Sequence, residues 1–420
     1  MAQIIQKIKG TNDILPSEIH RWHHVEEVIR QTMEEFNYKE IRTPIFERTE
    51  LFSRGVGETT DIVSKEMYSF TDMGGTSITL RPELTASVVR SFIQNQFTQI
   101  APLHKLWYFG PQFRQERPQK GRYRQFWQVG VEAIGSPNPE IDAEVIMLYY
   151  RILEKLGLHK DVILKINSIG DAESREAHKS ALKEFLAPRF EELSAISQER
   201  FEKNPLRILD SKNPIDQEIV RDAPHIVDYL SPASAEHYQI VLNTLDALGV
   251  PWEQDHKLVR GLDYYTHTAF EFTASTLGAQ NAICGGGRYD KLVHQLGGGD
   301  IPAIGWGSGI ERLLLMLEES ETQLEAPVVD VFFVALPGTD AASVMKIVMD
   351  WRNQGIKVDM DYLRRSMKAQ MREANRQNAR FVAIMGGDEM EKRVVQLKNL
   401  SSGEQEELAW SDVVGKVKIN

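Results

Sequence analysis

A ten-residue run of alternating character, Gln125–Ile134, constrains the fold of this chain more than any other segment. In a β-strand, alternate side chains point to opposite faces of the sheet. One face of this run is apolar and carries Trp127, Val129, Val131 and Ala133. The other face carries Gln128, Gly130 and Glu132. We therefore expect a strand whose apolar face packs on a core, while its polar face leaves room for a ligand above the glycine.

Length and composition set the class of protein. A chain of 420 residues with 42% hydrophobic content can bury more than one core, which predicts two or three domains. No run of about eighteen uncharged apolar residues occurs, and the N-terminal segment lacks the apolar core of a signal peptide. We therefore expect no membrane segment and a cytoplasmic location. The formal charge of −11 argues against a protein that coats nucleic acid indiscriminately.

Hydrophobic spacing assigns elements to the N-terminal part of the chain. It predicts an amphipathic helix that begins behind Ser17, a residue able to cap it, and reaches Phe36. Residues 41–45 are expected to be extended at a sheet edge, because Pro44 cannot donate to a ladder. Residues 105–113 predict a strand that a basic loop joins to Gln125–Ile134, and residues 269–273 predict a further strand. Residues 310–317 follow a glycine-rich run and predict a helix.

The later segments predict an inserted module, a linker and a separate C-terminal domain. Residues 171–253 shift to charged, helix-favouring residues, which indicates a helical insertion, and the acidic run 318–325 predicts a linker. Beyond it, strands at 328–336, 356–360 and 381–385 alternate with helices, an order typical of a parallel sheet. Residues 393–397 and 405–410 add a hairpin.

Basic residues recur at intervals of four in the C-terminal part, at Arg364, Lys368, Arg372, Arg376 and Arg380. On a helix this spacing places side chains along one face, which predicts a cationic stripe suited to nucleic acid. The alternative is a solvated helix face with no partner.

Phosphate groups in this chain would have to be held by side chains, because no G-x-x-x-x-G-K-[ST] loop is present. The planar, permanently charged guanidinium binds phosphate oxygens through two parallel hydrogen bonds. Four arginines are candidates: Arg114, Arg122, Arg260 and Arg312. The alternative for each is a surface ion pair with a carboxylate such as Glu116 or Glu311.

Residues 258–265, of sequence LVRGLDYY, place a guanidinium, a glycine and two phenols beside one another. That combination suits binding of a small anion together with a polar ring and is too polar for a packing segment. Together with the arginine-rich stretch 113–132 and the glycine-rich stretch 285–290, it predicts an enzyme that activates an amino acid with a nucleotide. The metal ligands of such a site remain unknown from the sequence, because the histidines near residue 20 lack a matching carboxylate pattern.

The order of motifs resembles that of class II aminoacyl-tRNA synthetases, and the specific strings resemble the histidyl-tRNA synthetase family over essentially the whole chain. KGTNDILP and residues 42–47 resemble the first class II motif, residues 113–126 the second and residues 305–312 the third. LVRGLDYY and ICGGGRYD resemble two signatures peculiar to the histidyl enzymes.

The resemblance implies an α/β multidomain fold. Residues 1–325 would be a class II synthetase-like catalytic domain with an antiparallel sheet and a helical insertion at about 171–253. Residues 326–420 would be an α/β anticodon-binding domain with a mainly parallel sheet. The resemblance also implies that the insertion contacts the tRNA acceptor end, the alternative being a purely structural insert.

The resemblance further implies a role for each site residue. Arg114 and Arg260 would be catalytic, with Arg114 on the α-phosphate of ATP and Arg260 neutralising the charge that develops during adenylate formation. Glu83 would bind the α-ammonium of histidine, and Glu132 with Tyr264 and Tyr265 would bind the imidazole. The full histidine subsite would be Glu83, Leu84, Thr85, Arg114, Gln128, Glu132, Arg260, Tyr264, Tyr265 and Tyr289. The ATP subsite would be Arg114, Arg122, Arg260 and Arg312.

The implied activity is that of a histidine–tRNA ligase. L-Histidine and ATP would give histidyl-adenylate and pyrophosphate, and histidine would then pass to the 3′-terminal ribose of tRNA(His). Mg²⁺ is expected with the nucleotide phosphates, and the enzyme is expected to be a homodimer. Two alternatives stay open: a non-catalytic, histidine-sensing regulatory paralogue of an ATP phosphoribosyltransferase, and an RNA-binding sensor that keeps the pocket without turnover.

Overall fold

The computed structural model describes residues 4–57, 60, 62–209, 211, 213–258, 264–275, 277, 281–320 and 328–419. The chain divides into two compact units, Met1–Gln323 and Leu324–Asn420. Arg260 lies outside the described residues, so the structure carries no statement about it. No described helix is both long enough and apolar enough to cross a membrane.

The strands of the first unit are β1 (Lys39–Glu40), β2 (Phe46–Arg48), β3 (Tyr68–Thr71), β4 (Ser77–Leu80), β5 (His104–Phe113), β6 (Gln125–Ile134), β7 (Val162–Ser168), β8 (Trp252–Gln254), β9 (Thr266–Ala274), β10 (Ala282–Arg288) and β11 (Ala303–Gly309). Its helices are α1 (Ile19–Glu35), α2 (Thr49–Val56), α3 (Thr85–Gln94), α4 (Pro139–Lys155), α5 (Ala172–Leu186), α6 (Ala195–Lys203), α7 (Pro214–Ile219), α8 (Pro232–Ala247), α9 (Leu292–Gln295) and α10 (Ile310–Glu319).

A large mixed sheet organises this unit. Among the described residues its eight strands run in the order β1-β5-β6-β11-β10-β9-β7-β8. All interior pairings are antiparallel, while β1 pairs with β5 and β8 pairs with β7 in parallel at the two edges. Strands β2, β4 and β3 form a separate small antiparallel sheet. The predicted α/β fold with a mainly antiparallel central sheet is confirmed.

The apolar face of β6 packs on the main core, as its alternation predicts. Val129, Val131 and Ala133 are fully buried in a cluster that also includes residues of α1, α4, α8 and α10. Trp127 is partly buried against the same cluster. The helices cover this face of the sheet, so the polar face of β6 is left for the site described below.

One N-terminal prediction needs correction. Helix α1 begins at Ile19 behind Glu18, and no side chain caps it, so Ser17 is not its N-cap. Residues 41–45, predicted to be extended at a sheet edge, follow the edge strand β1, which ends at Glu40, and precede β2, which begins at Phe46. The segment between them is held by backbone hydrogen bonds, from the Ile41 N–H to the Trp107 carbonyl at 2.8 Å and from the Arg81 N–H to the Ile45 carbonyl at 2.9 Å. Pro44 interrupts the ladder here.

Helices α5, α6, α7 and α8 lie between strands β7 and β8. Polar side chains cap them, because Asp171, Ser194, Asn213 and Ser231 each accept a hydrogen bond from a backbone N–H in the first turn that follows. The described part of the predicted insertion, residues 171–253, therefore contains four helices, each with a capped N-terminus.

The strands of the second unit are β12 (Val331–Ala335), β13 (Val358–Met360), β14 (Phe381–Met385), β15 (Val394–Asn399) and β16 (Gln405–Ala409). Its helices are α11 (Ala341–Asn353), α12 (Met367–Arg376), α13 (Gly387–Lys392) and α14 (Val413–Ile419). The described strands run in the order β13-β12-β14-β15-β16. The first three are parallel to one another, and the hairpin strands β15 and β16 add antiparallel pairings, so the sheet is mixed.

The predicted continuous cationic stripe is wrong. Arg364 precedes α12 with a left-handed φ of 53°, and Arg380 follows the helix, where it pairs with Asp330 at 3.2 Å. Only the three central cations, Lys368, Arg372 and Arg376, lie on the helix itself. A regular spacing in the sequence therefore does not form one helical face here, because the helix is shorter than the pattern.

Candidate active site

One cleft of about 1120 Å³ in the first unit brings together most of the predicted site residues. Those that line it are Glu83, Thr85, Arg114, Arg122, Gln128, Glu132, Tyr264, Tyr265, Tyr289 and Arg312. Leu84 is the exception among the described residues: it is 1% exposed and packs in a hydrophobic cluster with Val88 and Phe92. Leu84 therefore packs in the core directly before helix α3 and is not part of the cleft wall.

Glycines on β11 make room for the polar side chains of β6. The antiparallel register places Gly305 opposite Glu132, Gly307 opposite Gly130 and Gly309 opposite Gln128. A Cβ at Gly305 would lie 1.9 Å from Glu132 Oε2, and a Cβ at Gly307 would lie 2.7 Å from Gln128 Nε2. Both distances are too short for a side chain. The glycines of β11 therefore provide the space in which the Gln128 amide and the Glu132 carboxylate pack against the sheet.

The space above Gly130 is not left for a ligand, contrary to the expectation from the sequence. Strands β5 and β6 pair so that Tyr108 lies opposite Gly130. A Cβ at Gly130 would lie 2.2 Å from the Tyr108 hydroxyl oxygen. The glycine therefore admits the phenol of Tyr108, which crosses it to reach Glu132. Tyr108 could not be identified from the sequence, because the alternation within one strand does not show which residue of the next strand faces it.

Three hydroxyl groups hold the carboxyl group of Glu132. Thr85 donates to Oε1 at 2.7 Å, Tyr108 donates to Oε1 at 3.2 Å, and Tyr289 donates to Oε2. Glu132 is fully buried. Burial raises its pKa to about 8, although the hydroxyl hydrogen bonds oppose the rise. A buried carboxyl group held in this way can recognise the N–H group of a heteroaromatic ring.

Glu83 supplies a second buried carboxylate to the cleft. It precedes α3 and accepts a hydrogen bond from the Ala86 N–H at 3.0 Å. Burial raises its pKa, while the hydrogen bonds from the start of α3 and the charge of Arg114 oppose the rise. The cleft therefore contains an acidic group fixed by a helix start, which suits an ammonium ligand.

Three tyrosine rings pack against one another beside Glu132. The ring centroids of Tyr264 and Tyr265 are 4.7 Å apart, and those of Tyr264 and Tyr289 are 5.6 Å apart. Tyr265 also packs on Gly287, where an added Cβ would lie 2.9 Å from Tyr265 Cδ1. The glycines of β10 thus allow the aromatic wall to approach the sheet closely.

Cationic side chains gather at the other part of the cleft. Arg114 donates from Nε to the Pro82 carbonyl at 2.8 Å, and its guanidinium lies 5.2 Å from the centre of the Phe126 ring. Arg312 donates to the carbonyl groups of Gly121, at 3.3 Å, and Ala282. Backbone and ring contacts therefore fix both guanidinium groups.

The charge of this cationic group is only partly balanced. Glu116, which is buried, lies 2.5 Å from Arg122 and 3.8 Å from Arg114, so the ion-pair alternative holds for Arg122. The pKa of Arg312 is lowered by burial and by the neighbouring cations Arg122 and Arg114. Three mutually repelling guanidinium groups around one hollow favour a polyanion such as a triphosphate.

Glu311 is not the partner that the sequence offered for Arg312. Both of its oxygens accept the Trp127 backbone N–H, at 2.9 and 3.1 Å. Burial raises the pKa of Glu311 to about 7, and the charge of Arg312 opposes the rise. This residue therefore links helix α10 to strand β6 and leaves Arg312 directed by backbone carbonyl groups.

Family models match both units of the chain. A model described as histidyl-tRNA synthetase matches residues 10–313, and a model described as an anticodon binding domain matches residues 330–420.

Full-length relatives carry a consistent name. A histidine–tRNA ligase of Chloroherpeton thalassium is 50% identical over 417 residues, which cover 98% of this chain and 97% of that protein. A histidine–tRNA ligase of a Geobacillus species is 50% identical over 415 residues, which cover 98% of each protein.

Solved structures are similar in fold. The apo histidyl-tRNA synthetase of S. aureus has a TM-score of 0.84 and 41% identity, covering 99% of this chain and 100% of that one. A Bacillus halodurans structure described as an ATP phosphoribosyltransferase regulatory subunit/histidyl-tRNA synthetase has a TM-score of 0.66, covering 92% of this chain and 100% of that one. Its 20% identity shows a shared fold alone.

Proposed function

This chain belongs to the histidyl-tRNA synthetase family, and from that premise we propose that its cleft binds histidine and ATP side by side. Its activity is the ligation of histidine to tRNA, the activity for which its full-length relatives are named. The observation that carries the proposal is the meeting, in one cleft, of a buried carboxyl group held by hydroxyls and a group of three guanidinium side chains.

The reaction has two steps. A carboxylate oxygen of histidine attacks the α-phosphorus of ATP, pyrophosphate leaves, and histidyl-adenylate forms. The terminal ribose hydroxyl of tRNA(His) then attacks the activated carbonyl carbon, and AMP leaves. The protein's contribution is positioning and charge neutralisation, because the nucleophiles belong to the substrates.

In the histidine subsite, Glu132 receives the imidazole N–H, and Tyr265 with Tyr264 and Tyr289 encloses the ring. Glu83 and Thr85 receive the α-ammonium group, and Gln128 lies towards the carboxylate. These roles are supported by the burial of Glu132 and Glu83 and by their common cleft. Such a site rejects side chains that leave its polar groups unpaired, by about ten-thousand-fold or more, so no editing site is needed.

In the ATP subsite, Arg114 takes the α-phosphate, where it also meets the histidine carboxylate, while Arg122 and Arg312 take the outer phosphates. The fixed guanidinium groups of Arg114 and Arg312 support this assignment, since preorganised cations stabilise developing charge. Arg260 is assigned the neutralisation of the transition-state charge on the family resemblance of its LVRGLDYY string alone.

Mg²⁺ is proposed to accompany ATP. In nucleotide sites this ion takes one or two carboxylates together with phosphate oxygens. Over the described parts of the chain, no group of three His, Cys, Asp or Glu side chains could hold a metal by itself. Glu116 and Glu271 present carboxylates to the cleft and fit an ion delivered by the nucleotide. They would hold Mg²⁺, which would offset phosphate charge.

We assign residues 1–325 to the catalytic domain, with the helical insertion at about 171–253, and residues 326–420 to the anticodon-binding domain. The match of residues 330–420 to an anticodon binding domain supports the second assignment. The partners are tRNA(His), L-histidine, ATP and a second copy of the chain, in the cytoplasm. Contact between the insertion and the acceptor end of the tRNA completes the proposal.

Histidine-dependent exchange of labelled pyrophosphate into ATP tests the adenylation site. The wild-type protein should exchange label only when histidine is present. Arg312→Met should raise the KM for ATP about tenfold or more, the loss expected of a charged contact. Arg21→Met, which removes an exposed ion pair with Glu318 outside the cleft, is the matched control. Absence of exchange by the wild-type protein would instead support a regulatory paralogue or an RNA-binding sensor, neither of which turns over.

A further inference from the structure

Two helix starts of the insertion, those of α5 and α8, meet at one cluster of polar side chains, the insertion base, formed by Asp171, Ser174 and Ser231. Asp171 Oδ1 accepts the backbone N–H of Ser174 at 2.8 Å and its hydroxyl at 2.7 Å, and Oδ2 accepts the Ser231 hydroxyl at 2.6 Å. Burial alone would raise the pKa of Asp171, but these hydrogen bonds lower it well below its usual value. The carboxylate therefore stays charged and joins the starts of α5 and α8.

The insertion base is also joined to the strand that follows the tyrosine pair. The His267 N–H donates to the Gly170 carbonyl at 2.9 Å, and the Ile169 N–H donates to the His267 carbonyl at 2.7 Å. These bonds extend the pairing of β7 with β9 up to the first residue of the insertion. The backbone just after Tyr265 is thus fixed to the start of α5.

Arg175 lies in the first turn of α5 and contacts the cleft wall directly. Its Nη1 donates to the backbone carbonyl of Tyr265 at 3.1 Å, in a partly buried contact. The Tyr265 ring lines the cleft and is 7% exposed. A cationic side chain of the insertion therefore holds the main chain of a residue in the histidine subsite.

The insertion also faces the cleft at its far end. Pro214, Gln217 and Arg221, from α7 and the segment after it, line the same cleft as Glu132 and Arg312. A macromolecular substrate that enters the cleft must therefore meet the insertion. The hydrogen bond of Arg175 is a route by which a displacement of α5 would act on Tyr265.

We propose that Arg175 is a positioning residue for the histidine subsite, and that it transmits movement of the insertion to Tyr265 when the tRNA acceptor arm binds. The proposal rests on the function given above. It assigns to the insertion a second role, in which tRNA occupancy sets the affinity for histidine. The coupling needs no contact between tRNA and histidine, since one hydrogen bond joins the helix to the subsite.

The first test measures KM and kcat for histidine in pyrophosphate exchange without tRNA. Arg175→Met should raise the KM for histidine about tenfold with kcat changed less than about twofold, as expected when a charged hydrogen bond outside the reacting atoms is lost. Arg175→Lys keeps a donor and should give an intermediate KM. Lys179→Met, on the same helix and paired with Glu176 at 3.4 Å, should match the wild type.

The second test measures the dissociation constant of histidine by calorimetry, with and without saturating tRNA. The wild-type value should change on addition of tRNA, and the Arg175→Met value should not. An unchanged KM in Arg175→Met, an equal effect of Lys179→Met, or the same tRNA effect in wild type and Arg175→Met would each overturn the proposal. The melting temperature of Arg175→Lys is compared with that of the wild type. An equal melting temperature would show that a raised KM in this variant comes from mispositioning and not from misfolding. Because calorimetry reads binding directly, a wild-type protein that binds histidine without exchanging pyrophosphate would defeat the proposed function and leave the positioning test intact.

Discussion

Arg288 and Asp142 form a fully buried ion pair directly behind the histidine subsite. Both are 0% exposed, Arg288 Nε lies 3.2 Å from Asp142 Oδ2, and Nη2 of the same guanidinium contacts Oδ1. The next residue along the chain, Tyr289, donates its hydroxyl to Glu132. The pair therefore anchors the end of β10 from which the tyrosine projects.

The Asp142 carboxylate is saturated with donors. Besides Arg288, it accepts the His237 ring N–H at 2.9 Å and the Thr268 hydroxyl at 2.7 Å. Burial alone would raise its pKa, but Arg288 and His237 outweigh that effect and hold the pKa below its usual value. Its contribution to stability is therefore present above about pH 4, the usual range of an aspartate in an unfolded chain, and is lost as the pH falls further.

Asp142→Ala should lower the free energy of unfolding by about 3–5 kcal/mol, because it leaves the Arg288 charge buried without its partner. Urea denaturation at pH 7 measures the change. Asp300→Ala removes a carboxylate of an exposed pair with Lys291 and should cost about 0–1 kcal/mol. Equal losses in the two variants would mean that the buried pair contributes no more than a surface one.

Tyr108→Phe should weaken histidine binding about tenfold and lower the free energy of unfolding by about 0.5–1.5 kcal/mol, since the hydroxyl bond to Glu132 is lost. Calorimetric titration with histidine gives the affinity. Tyr150→Phe, on helix α4 away from the cleft, is the control and should bind like the wild type. Wild-type affinity in Tyr108→Phe would show that Thr85 and Tyr289 suffice to orient the carboxyl group.

Gly305→Ala should destabilise the fold by about 1–3 kcal/mol through overpacking and should abolish measurable histidine binding. The added methyl group would meet both Glu132 Oε2 at 1.9 Å and the Val131 carbonyl oxygen at 2.3 Å. Gly309→Ala in the same strand meets nothing within 4 Å, so its free energy of unfolding should stay near the wild-type value. A stable, histidine-binding Gly305→Ala protein would show that the sheet can yield at this position.

Glu132→Gln should gain stability relative to the wild type as the pH rises from about 5 to 8. The folded wild-type protein holds a proton on Glu132 up to a pKa of about 8, whereas the unfolded chain releases it near the ordinary glutamate pKa of 4.5. Native protein thus binds more protons in this window, so wild-type stability falls with rising pH. Glutamine does not titrate.

Urea denaturation at several pH values measures this difference. Glu140→Gln, which alters an exposed carboxylate on α4, is the control for replacing a carboxylate with an amide. A constant gap between Glu132→Gln and wild type from pH 5 to 8 would contradict the raised pKa.

The strands of the site could be predicted closely because their periodicity is strong. The predicted run 105–113 became His104–Phe113, and Gln125–Ile134 was predicted without error. Alternation identifies which side chains share a face, so Glu132 and Gln128 could be placed together. The large sheet and the helices that cover it follow from the same patterns.

The remaining features depend on contacts between distant segments. Tyr108 fills the space at Gly130 only because of the register between two strands, which neither strand specifies alone. The regular spacing of the basic residues predicted a helix longer than α12. The left-handed backbone of Arg364 ends that regularity, and side-chain spacing in a sequence does not predict backbone dihedrals. The hydrogen bond between Asp171 and Ser231 could not be predicted from the sequence either, since the two residues lie 60 positions apart.

The insertion base has a consequence for the architecture of the chain. Since Asp171 joins the starts of α5 and α8, a short turn could replace residues 172–230 without separating β7 from α8. The sheet would keep its strand order, and the missing helices would take the Arg175 restraint with them. Helices α5, α6 and α7 therefore form a module that could be removed as a unit, and its removal would also take Pro214, Gln217 and Arg221 out of the cleft wall.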